Sequence, residues 1–246
     1  MNSTLPLALT FLTKLPWPWR GPADEGALAR AMFWFPWVGA VLGLGFWGAW
    51  VGLHRLLPAP AAAALLLTFT VVITGGLHLD GLADTADGLG GGRTATDAQR
   101  IMKDSRVGAF GVLSLILALL LKFALFLSLG DTGGVRALIL YPIISRWSMV
   151  FLAYLSPYAR PEGGLGQAMT VGVNPRVLVG ASLSAGVLAV LIVGASGLIL
   201  LAVAAALVWL GSLYFQARLG GITGDVLGAT NEVVEVVVLG GALLLG

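Results

Sequence analysis

Long uncharged apolar stretches are the feature that most constrains this chain. A helix crosses the hydrocarbon core of a bilayer with about 20 apolar residues. Stretches near that length occur at residues 32–53, 60–77, 108–129, 134–155, 177–195 and 197–215. A seventh apolar run begins near Val233, and it spans only if it is tilted or extends back through the acidic residues before it. The pattern predicts an all-α, polytopic integral membrane bundle of six to seven helices, with residues 1–246 as a single membrane-embedded domain.

The scarcity of charge supports the same class. Charged residues make up 11% of the chain and the net charge is +2, whereas a soluble domain carries about 25% charged residues. A water-soluble globule is therefore excluded, and the clustered basic excess of a nucleic-acid-binding protein is missing. Cysteine is absent, which excludes disulfides, thiolate zinc sites and cysteine nucleophiles. Each charge must lie at a membrane surface or have a function that offsets its cost in lipid.

The basic residues predict the orientation. Residues 1–30 form an interfacial segment, in which Trp17 and Trp19 suit the headgroup zone. With the N-terminus in the cytoplasm, the basic residues on the cytoplasmic side of the membrane are Lys14, Arg20, Arg30, Arg93, Arg100, Lys103, Arg106, Arg160, Arg176 and Arg218. Only Arg55 and Arg136 then lie at outer ends. We expect a multi-pass membrane protein in contact with lipids, with its polar islands, residues 78–107 and 216–235, on the cytoplasmic side. A homo-oligomer is left open.

Three carboxylates lie close together in the first island. Asp80, Asp84 and Asp87 follow the spacing i, i+4, i+7, so at about 100° per residue they lie within about 60° on one helix face. Like charges on one face repel, and no Lys or Arg lies between His78 and Arg93 to compensate. Magnesium is held by carboxylates together with substrate phosphates, so the spacing predicts an Mg²⁺ site. The alternative is a solvated, glycine-rich loop.

Basic residues follow the carboxylates at once. Thr96 and Gln99 fit a capping box that would open a short helix carrying Arg100, Lys103 and Arg106. The predicted phosphate-binding residues are Arg93, Lys103, Ser105 and Arg106. A plain positive-inside anchor is the alternative. Acids for a metal beside bases for phosphates suit transfer from a diphosphate, where the charge on the transferred and leaving groups must be neutralised.

The second island adds Asp225, Glu232 and Glu235, which lie within about 80° on a helix. Valines flank Glu235, a costly environment for an unpaired carboxylate. We expect these three acids to complete the metal site or to orient a reacting hydroxyl; a snorkelled or protonated acid is the alternative. His78 titrates in the range of a general base, but on a continuous helix it points away from Asp80, so an aspartate could serve equally.

The strings HLDGLADTADGLGGG, IMKDSRVGAFG and GGITGDVLGATNEVVE, with FLTKLPWP near the start, resemble the cobalamin synthase (adenosylcobinamide-GDP ribazoletransferase) family over about residues 9–235. The resemblance implies a magnesium-dependent enzyme of vitamin B12 assembly, located in a bacterial or archaeal cytoplasmic (inner) membrane. Such an enzyme transfers the cobinamide-phosphate group of adenosylcobinamide-GDP to α-ribazole or its 5′-phosphate and releases GMP. The residues that match the motifs are Asp80, Asp84 and Asp87, with His78 and Asp104. From these we predict His78, Asp84 and Asp104 as catalytic.

Two other functions compete with this interpretation. Asp84, Asp87 and Gly88 reproduce a DxxDG fragment similar to that of CDP-alcohol phosphatidyltransferases, but Arg93 stands five residues past Gly88 where that pattern wants four. A cation-coupled transporter would place its acids near mid-membrane on broken helices in matched halves. The first island instead lies in a polar, glycine-rich stretch at the predicted membrane edge.

Overall fold

The computed structural model describes residues 4–15, 26–130, 135–160 and 162–245. Its helices in these ranges are α1 (Thr4–Leu12), α2 (Ala27–Ala31), α3 (Phe35–Leu56), α4 (Ala59–Thr74), α5 (Leu77–Gly91), α6 (Ala95–Ile101), α7 (Ala109–Leu127), α8 (Val135–Leu155), α9 (Leu165–Thr170), α10 (Pro175–Val193), α11 (Ala195–Leu219) and α12 (Gly224–Leu245). No strand forms among the described residues. The predicted all-α architecture is confirmed. Trp17 and Trp19 lie outside the described residues, although α1 forms in the predicted interfacial segment.

Among the described residues, six segments are long and apolar enough to cross a membrane: residues 27–56, α7, α8, α10, α11 and α12. The bent pair of α4 and α5 would be a seventh if it forms one span. The seventh predicted run is extended, because α12 begins at Gly224 and includes the acidic residues. The stretch predicted at 60–77 is not one straight helix. Gly75 and Gly76 adopt left-handed φ angles of 65° and 66°, which glycine tolerates without strain, and the chain bends by 88° between α4 and α5. That bend turns the carboxylate-bearing helix away from the axis of α4.

Helix α8 lies at the centre of the bundle, where it packs against α3, α10, α11 and α12. Small residues make the closest of these contacts possible. A methyl group added at Gly43 would lie 2.6 Å from the carbonyl oxygen of Ile139, and one added at Gly39 would lie 2.8 Å from the Cα of Ile143. The α3 and α8 backbones therefore touch, as small residues permit in membrane helices.

Replacing Gly39 with alanine should separate α3 from α8. We expect Gly39→Ala to lower the stability of the purified protein in detergent by about 1–3 kcal/mol, the usual effect of overpacking, and thermal unfolding measures this loss as a lower Tm. Gly48→Ala on the same helix is the matched control, because, apart from its chain neighbours and the backbone of its own helix, no atom lies within 4 Å of the added methyl group. Equal Tm values for the two variants would contradict the close contact.

The polar loops meet at one end of the bundle. The backbone N–H of Ala159 donates to the carbonyl of Ile222 (2.9 Å), and the N–H of Ile222 donates to the carbonyl of Pro157 (2.9 Å). The side-chain amide of Gln99 donates to the carbonyl of Leu219 (2.9 Å). These bonds bring α6, the segment after α8 and the start of α12 together.

The start of α6 differs from the sequence prediction. The cap is Thr94, whose hydroxyl accepts a hydrogen bond from the N–H of Asp97 (3.1 Å), and α6 begins at Ala95. The expected capping box of Thr96 and Gln99 is therefore wrong, because an equally suitable threonine stands two residues earlier. Since α6 ends at Ile101, it carries only Arg100 of the three expected bases.

Candidate active site

One unbroken helix, α5, carries the three aspartates of the first island. Asp80 is exposed, Asp84 is half-buried and Asp87 is buried. The carboxylate of Asp87 accepts hydrogen bonds from the backbone N–H groups of Gly108 (2.7 Å) and Gly111 (2.8 Å). These N–H groups belong to the first turn of α7, which has no intrahelical acceptors for them and favours negative charge. Asp87 therefore joins α5 to α7, and its predicted role as a metal ligand remains a prediction.

The two islands meet where α5 packs against α12. A methyl group on Gly81 would lie 3.0 Å from the Cα of Asp225, and one on Gly228 would lie 3.2 Å from the Cα of His78. The close approach places Asp225, from the first turn of α12, beside the carboxylate face of α5. Asp84 interacts electrostatically with Asp225 and with Asp80. We call Asp80, Asp84 and Asp225 the acidic cluster.

Among the residues that the structure describes, one cation, Arg160, lies beside the acidic cluster. Nη2 of Arg160 donates a hydrogen bond to Oδ2 of Asp225 (2.8 Å), and the Thr223 hydroxyl donates to the same oxygen (3.2 Å). The charge of Arg160 also acts on Asp84. Three carboxylates and one guanidinium leave two negative charges if all are ionised. The oxygen donors and the excess negative charge are the ligand chemistry of a hard divalent cation such as magnesium, although the ligand atoms of these three residues are not all within 4.8 Å of one another, as those of His78, Glu232 and Glu235 are.

The other two acids of the second island have different partners. Nζ of Lys122 on α7 lies 2.6 Å from Oε2 of Glu232 and also contacts Glu235, which in turn accepts a hydrogen bond from Arg146 on α8. The four residues are only 1–5% exposed. We call Lys122, Arg146, Glu232 and Glu235 the buried quartet. Its two cations and two anions balance, so the quartet is neutral and joins α7, α8 and α12 inside the bundle.

His78 faces the quartet rather than the acidic cluster. The side-chain amide of Asn231 donates to Oε1 of Glu235 (3.0 Å) and to Nδ1 of His78 (3.1 Å). Since Nδ1 accepts a hydrogen bond, the imidazole carries its proton on Nε2, and Nε2 is buried with no partner among the described residues. The lone pair that a general base needs is therefore occupied in this arrangement. The catalytic role predicted for His78 stays a prediction.

A possible metal-ligand trio also involves His78. Among the described residues, ligand atoms of His78, Glu232 and Glu235 lie within 4.8 Å of one another. Lys122 and Arg146 already neutralise both glutamates, so a divalent ion there would introduce uncompensated charge into the bundle. The predicted metal roles of Glu232 and Glu235 stay predictions, and the structure gives these carboxylates ion-pair partners instead.

The basic segment borders a cleft of about 590 Å³ next to α5. Its polar lining comprises Asp87, Arg100, Asp104 and Arg106. Arg106 donates to Asp104 from Nη2 (2.8 Å) and Nε (3.1 Å), and these bonds lower the pKa of Asp104 to about 2. A carboxylate with so low a pKa is a weak base, so Asp104 is better placed to hold Arg106 than to accept a proton.

Three predicted phosphate-binding residues lie on the exposed surface near the cleft. Lys103 forms an ion pair with Glu162 (2.6 Å), which lowers the pKa of Glu162. Arg93 and Ser105 are exposed, and the described lining of the cleft includes neither. Of the predicted phosphate-binding residues, the structure therefore places Arg106 in the cleft, together with Arg100. Their binding roles remain predictions.

Sequence reasoning missed Lys122, Arg146 and Arg160 as members of polar clusters. Lys122 and Arg146 carried a signal, because a cation inside a predicted span requires a partner. For Arg160 the sequence predicted only the cytoplasmic side of the membrane. The backbone pairing of the neighbouring Ala159 with Ile222 brings Arg160 to Asp225, and the sequence does not reveal this pairing.

The fold and the site define a polytopic, all-α membrane protein whose acidic cluster and basic cleft share one end of the bundle. The profile of the cobalamin-5-phosphate synthase family matches residues 4–243. The chain belongs to this family, and it is accordingly a transferase of cobalamin biosynthesis.

Curated relatives agree with this assignment over nearly the full length. A protein of Syntrophobacter fumaroxidans named adenosylcobinamide-GDP ribazoletransferase is 42% identical over 237 residues, which covers 96% of each chain. Proteins of the same name from Desulforamulus reducens and Pseudomonas putida are 41% and 45% identical, and both alignments cover 96% of this chain and 94% and 97% of the relative. No solved structure matches.

Proposed function

We propose that this protein transfers the cobinamide-phosphate group of adenosylcobinamide-GDP to α-ribazole or α-ribazole 5′-phosphate. The products are adenosylcobalamin, or its 5′-phosphate, and GMP. The observation that carries the proposal is the meeting of the acidic cluster and the arginine-lined cleft at one end of the bundle. The first has negative charge in excess and the second offers cations for phosphate, as transfer from a diphosphate requires. The names of the relatives supply the substrates.

The acidic cluster is the site we assign to magnesium, with Asp80, Asp84 and Asp225 as its protein ligands. When bound, the ion neutralises charge on the diphosphate and on the leaving phosphate. Arg100 and Arg106 line the cleft where the GMP phosphate would leave, and guanidinium groups bind phosphate oxygens in pairs. Glu232 and Glu235 support the site indirectly, because the buried quartet holds α12 against α7 and α8.

In the reaction, the hydroxyl oxygen of ribazole forms a new bond to the phosphorus attached to cobinamide. The bond between that phosphorus and the oxygen that bridges the two phosphorus atoms of the diphosphate breaks. The bridging oxygen leaves as part of GMP. The hydroxyl proton needs an acceptor. Nδ1 of His78 and both oxygens of Asp104 already have hydrogen-bond donors, whereas Asp84 is half-buried and free of such bonds among the described residues. We assign the proton to the carboxylate oxygen of Asp84 that does not hold the metal.

The active end of the bundle faces the cytoplasm in this proposal, and the protein resides in the cytoplasmic membrane. The bias of Lys and Arg toward the polar loops supports this orientation. The acidic cluster and the cleft lie at the same end of the bundle as these loops, so the soluble substrates would reach the site from the cytoplasm.

The proposal is tested with purified protein in detergent, supplied with adenosylcobinamide-GDP, α-ribazole and Mg²⁺. We expect formation of adenosylcobalamin and an equal amount of GMP, both measured by chromatography. Removing the metal with EDTA should abolish turnover and excess Mg²⁺ should restore it, because the acidic cluster would lose the charge that balances the diphosphate. Absence of product would overturn the transfer reaction, and turnover that survives EDTA would overturn the metal assignment.

A further inference from the structure

Arg160 lies at the acidic cluster although it belongs to a different part of the chain. The backbone around it is fixed by the pairing of Ala159 with Ile222, and the Gln99 amide holds the carbonyl of Leu219 nearby. Its side chain is only 15% exposed. Such a side chain is held at the cluster and is not a loose surface group.

The guanidinium of Arg160 is only partly satisfied. Nη2 is bonded to Asp225, but Nε is inaccessible to solvent and has no partner among the described residues. A buried donor without an acceptor is costly. The Nε and Nη groups of one guanidinium together match two oxygens of a phosphate, so the orphaned Nε indicates that a further anion belongs beside Arg160.

Arg160 also competes for the oxygens of the proposed metal site. Oδ2 of Asp225 accepts hydrogen bonds from Arg160 and Thr223 in this structure. The same carboxylate is one of the three ligands that we assign to magnesium. An oxygen that coordinates a divalent cation no longer favours a guanidinium at hydrogen-bond distance, because the two cations repel. Binding of the metal would therefore free the Nε and Nη donors of the Arg160 guanidinium beside the diphosphate.

We infer that Arg160 substitutes for the metal on Asp225 in the metal-free protein and binds the substrate diphosphate once the metal is loaded. The inference rests on the proposed function and adds a substrate-binding residue to it. Arg160 then prevents repulsion within the empty acidic cluster, and it couples metal loading to the creation of an anion site.

The test measures metal binding without substrate. Mn²⁺, as a spectroscopic probe for Mg²⁺, is titrated into purified wild-type and Arg160→Gln protein in detergent and followed by electron paramagnetic resonance. We expect Arg160→Gln to bind Mn²⁺ about tenfold more tightly, as loss of a competing ion pair of moderate strength would give. Arg176→Gln, an exposed arginine at the start of α10, is the matched control and should leave the Kd unchanged.

A second variant separates charge from geometry. Arg160→Lys keeps the cation, so its Mn²⁺ affinity should stay near that of wild type, whereas its KM for adenosylcobinamide-GDP should rise about tenfold because an ammonium lacks the paired donors. Equal or weaker Mn²⁺ binding by Arg160→Gln would overturn the competition. An unchanged KM in Arg160→Lys would overturn the diphosphate contact. If wild type makes no cobalamin, the proposed function fails. The Mn²⁺ comparison still decides whether Arg160 takes the place of the metal on Asp225 in the metal-free protein.

Discussion

Asp84→Asn should lower the rate of cobalamin formation about 10³-fold, the combined order expected for losing a metal-binding carboxylate and a proton acceptor. The carboxylate of Asp84 interacts electrostatically with the carboxylates of both Asp80 and Asp225. An asparagine keeps the size of the side chain but removes the negative charge and the basic oxygen. Initial rates of product formation at saturating substrates and Mg²⁺ measure the effect.

The fold should not suffer from this change. Removing one of several mutually repelling carboxylates relieves repulsion, so we expect Asp84→Asn to keep or raise the Tm and to elute unchanged in gel filtration. Asp97→Asn makes the same substitution in the first turn of α6, where the half-buried carboxylate has a long 3.8 Å ion pair with the exposed Arg100, and it should retain turnover. Full activity of Asp84→Asn, or an equal loss in both variants, would remove Asp84 from the proposed chemistry.

The membrane spans were predictable because their signal is local. Length and apolarity decide whether a segment such as α7 or α10 can cross a bilayer, and both properties are read from consecutive residues. The helical spacing of Asp80, Asp84 and Asp87 is equally local. The bend after α4 was harder to predict, because Gly75 and Gly76 are two among 35 glycines and the sequence does not show which glycines adopt a left-handed conformation.

The partners of the acids were not predictable, because they depend on which helices become neighbours. Glu232 and Asp225 lie seven residues apart on one helix, yet Glu232 pairs with Lys122 of α7 and Asp225 pairs with Arg160 from a loop. A shared helix face gave them similar expected roles. The α12 helix is 22 residues long, so its first turn lies at the active end and its next turns lie inside the bundle. Depth in the bundle, which spacing alone does not reveal, separates the two sites.

Lys122→Met should destabilise the protein more than any other single change considered above. Without the ammonium, Glu232 and Glu235 would share the buried quartet with one remaining cation, Arg146. Breaking a buried ion pair by removing one partner costs about 3–5 kcal/mol, because the remaining charge cannot be solvated. We expect a lower Tm in detergent and a smaller yield of monodisperse protein, measured by thermal unfolding and gel filtration.

A compensating substitution distinguishes charge imbalance from lost packing. Lys122→Met combined with Glu232→Gln leaves Arg146 paired with Glu235, so the quartet is neutral again and the Tm should recover in part toward wild type. Arg136→Met removes an exposed cation from α8 and should change the Tm little. If the double variant is no more stable than Lys122→Met, the buried quartet does not stabilise the bundle through charge balance. If it recovers, the charges of the two α12 glutamates are balanced by Lys122 and Arg146 inside the bundle, as a structural role of the buried quartet requires.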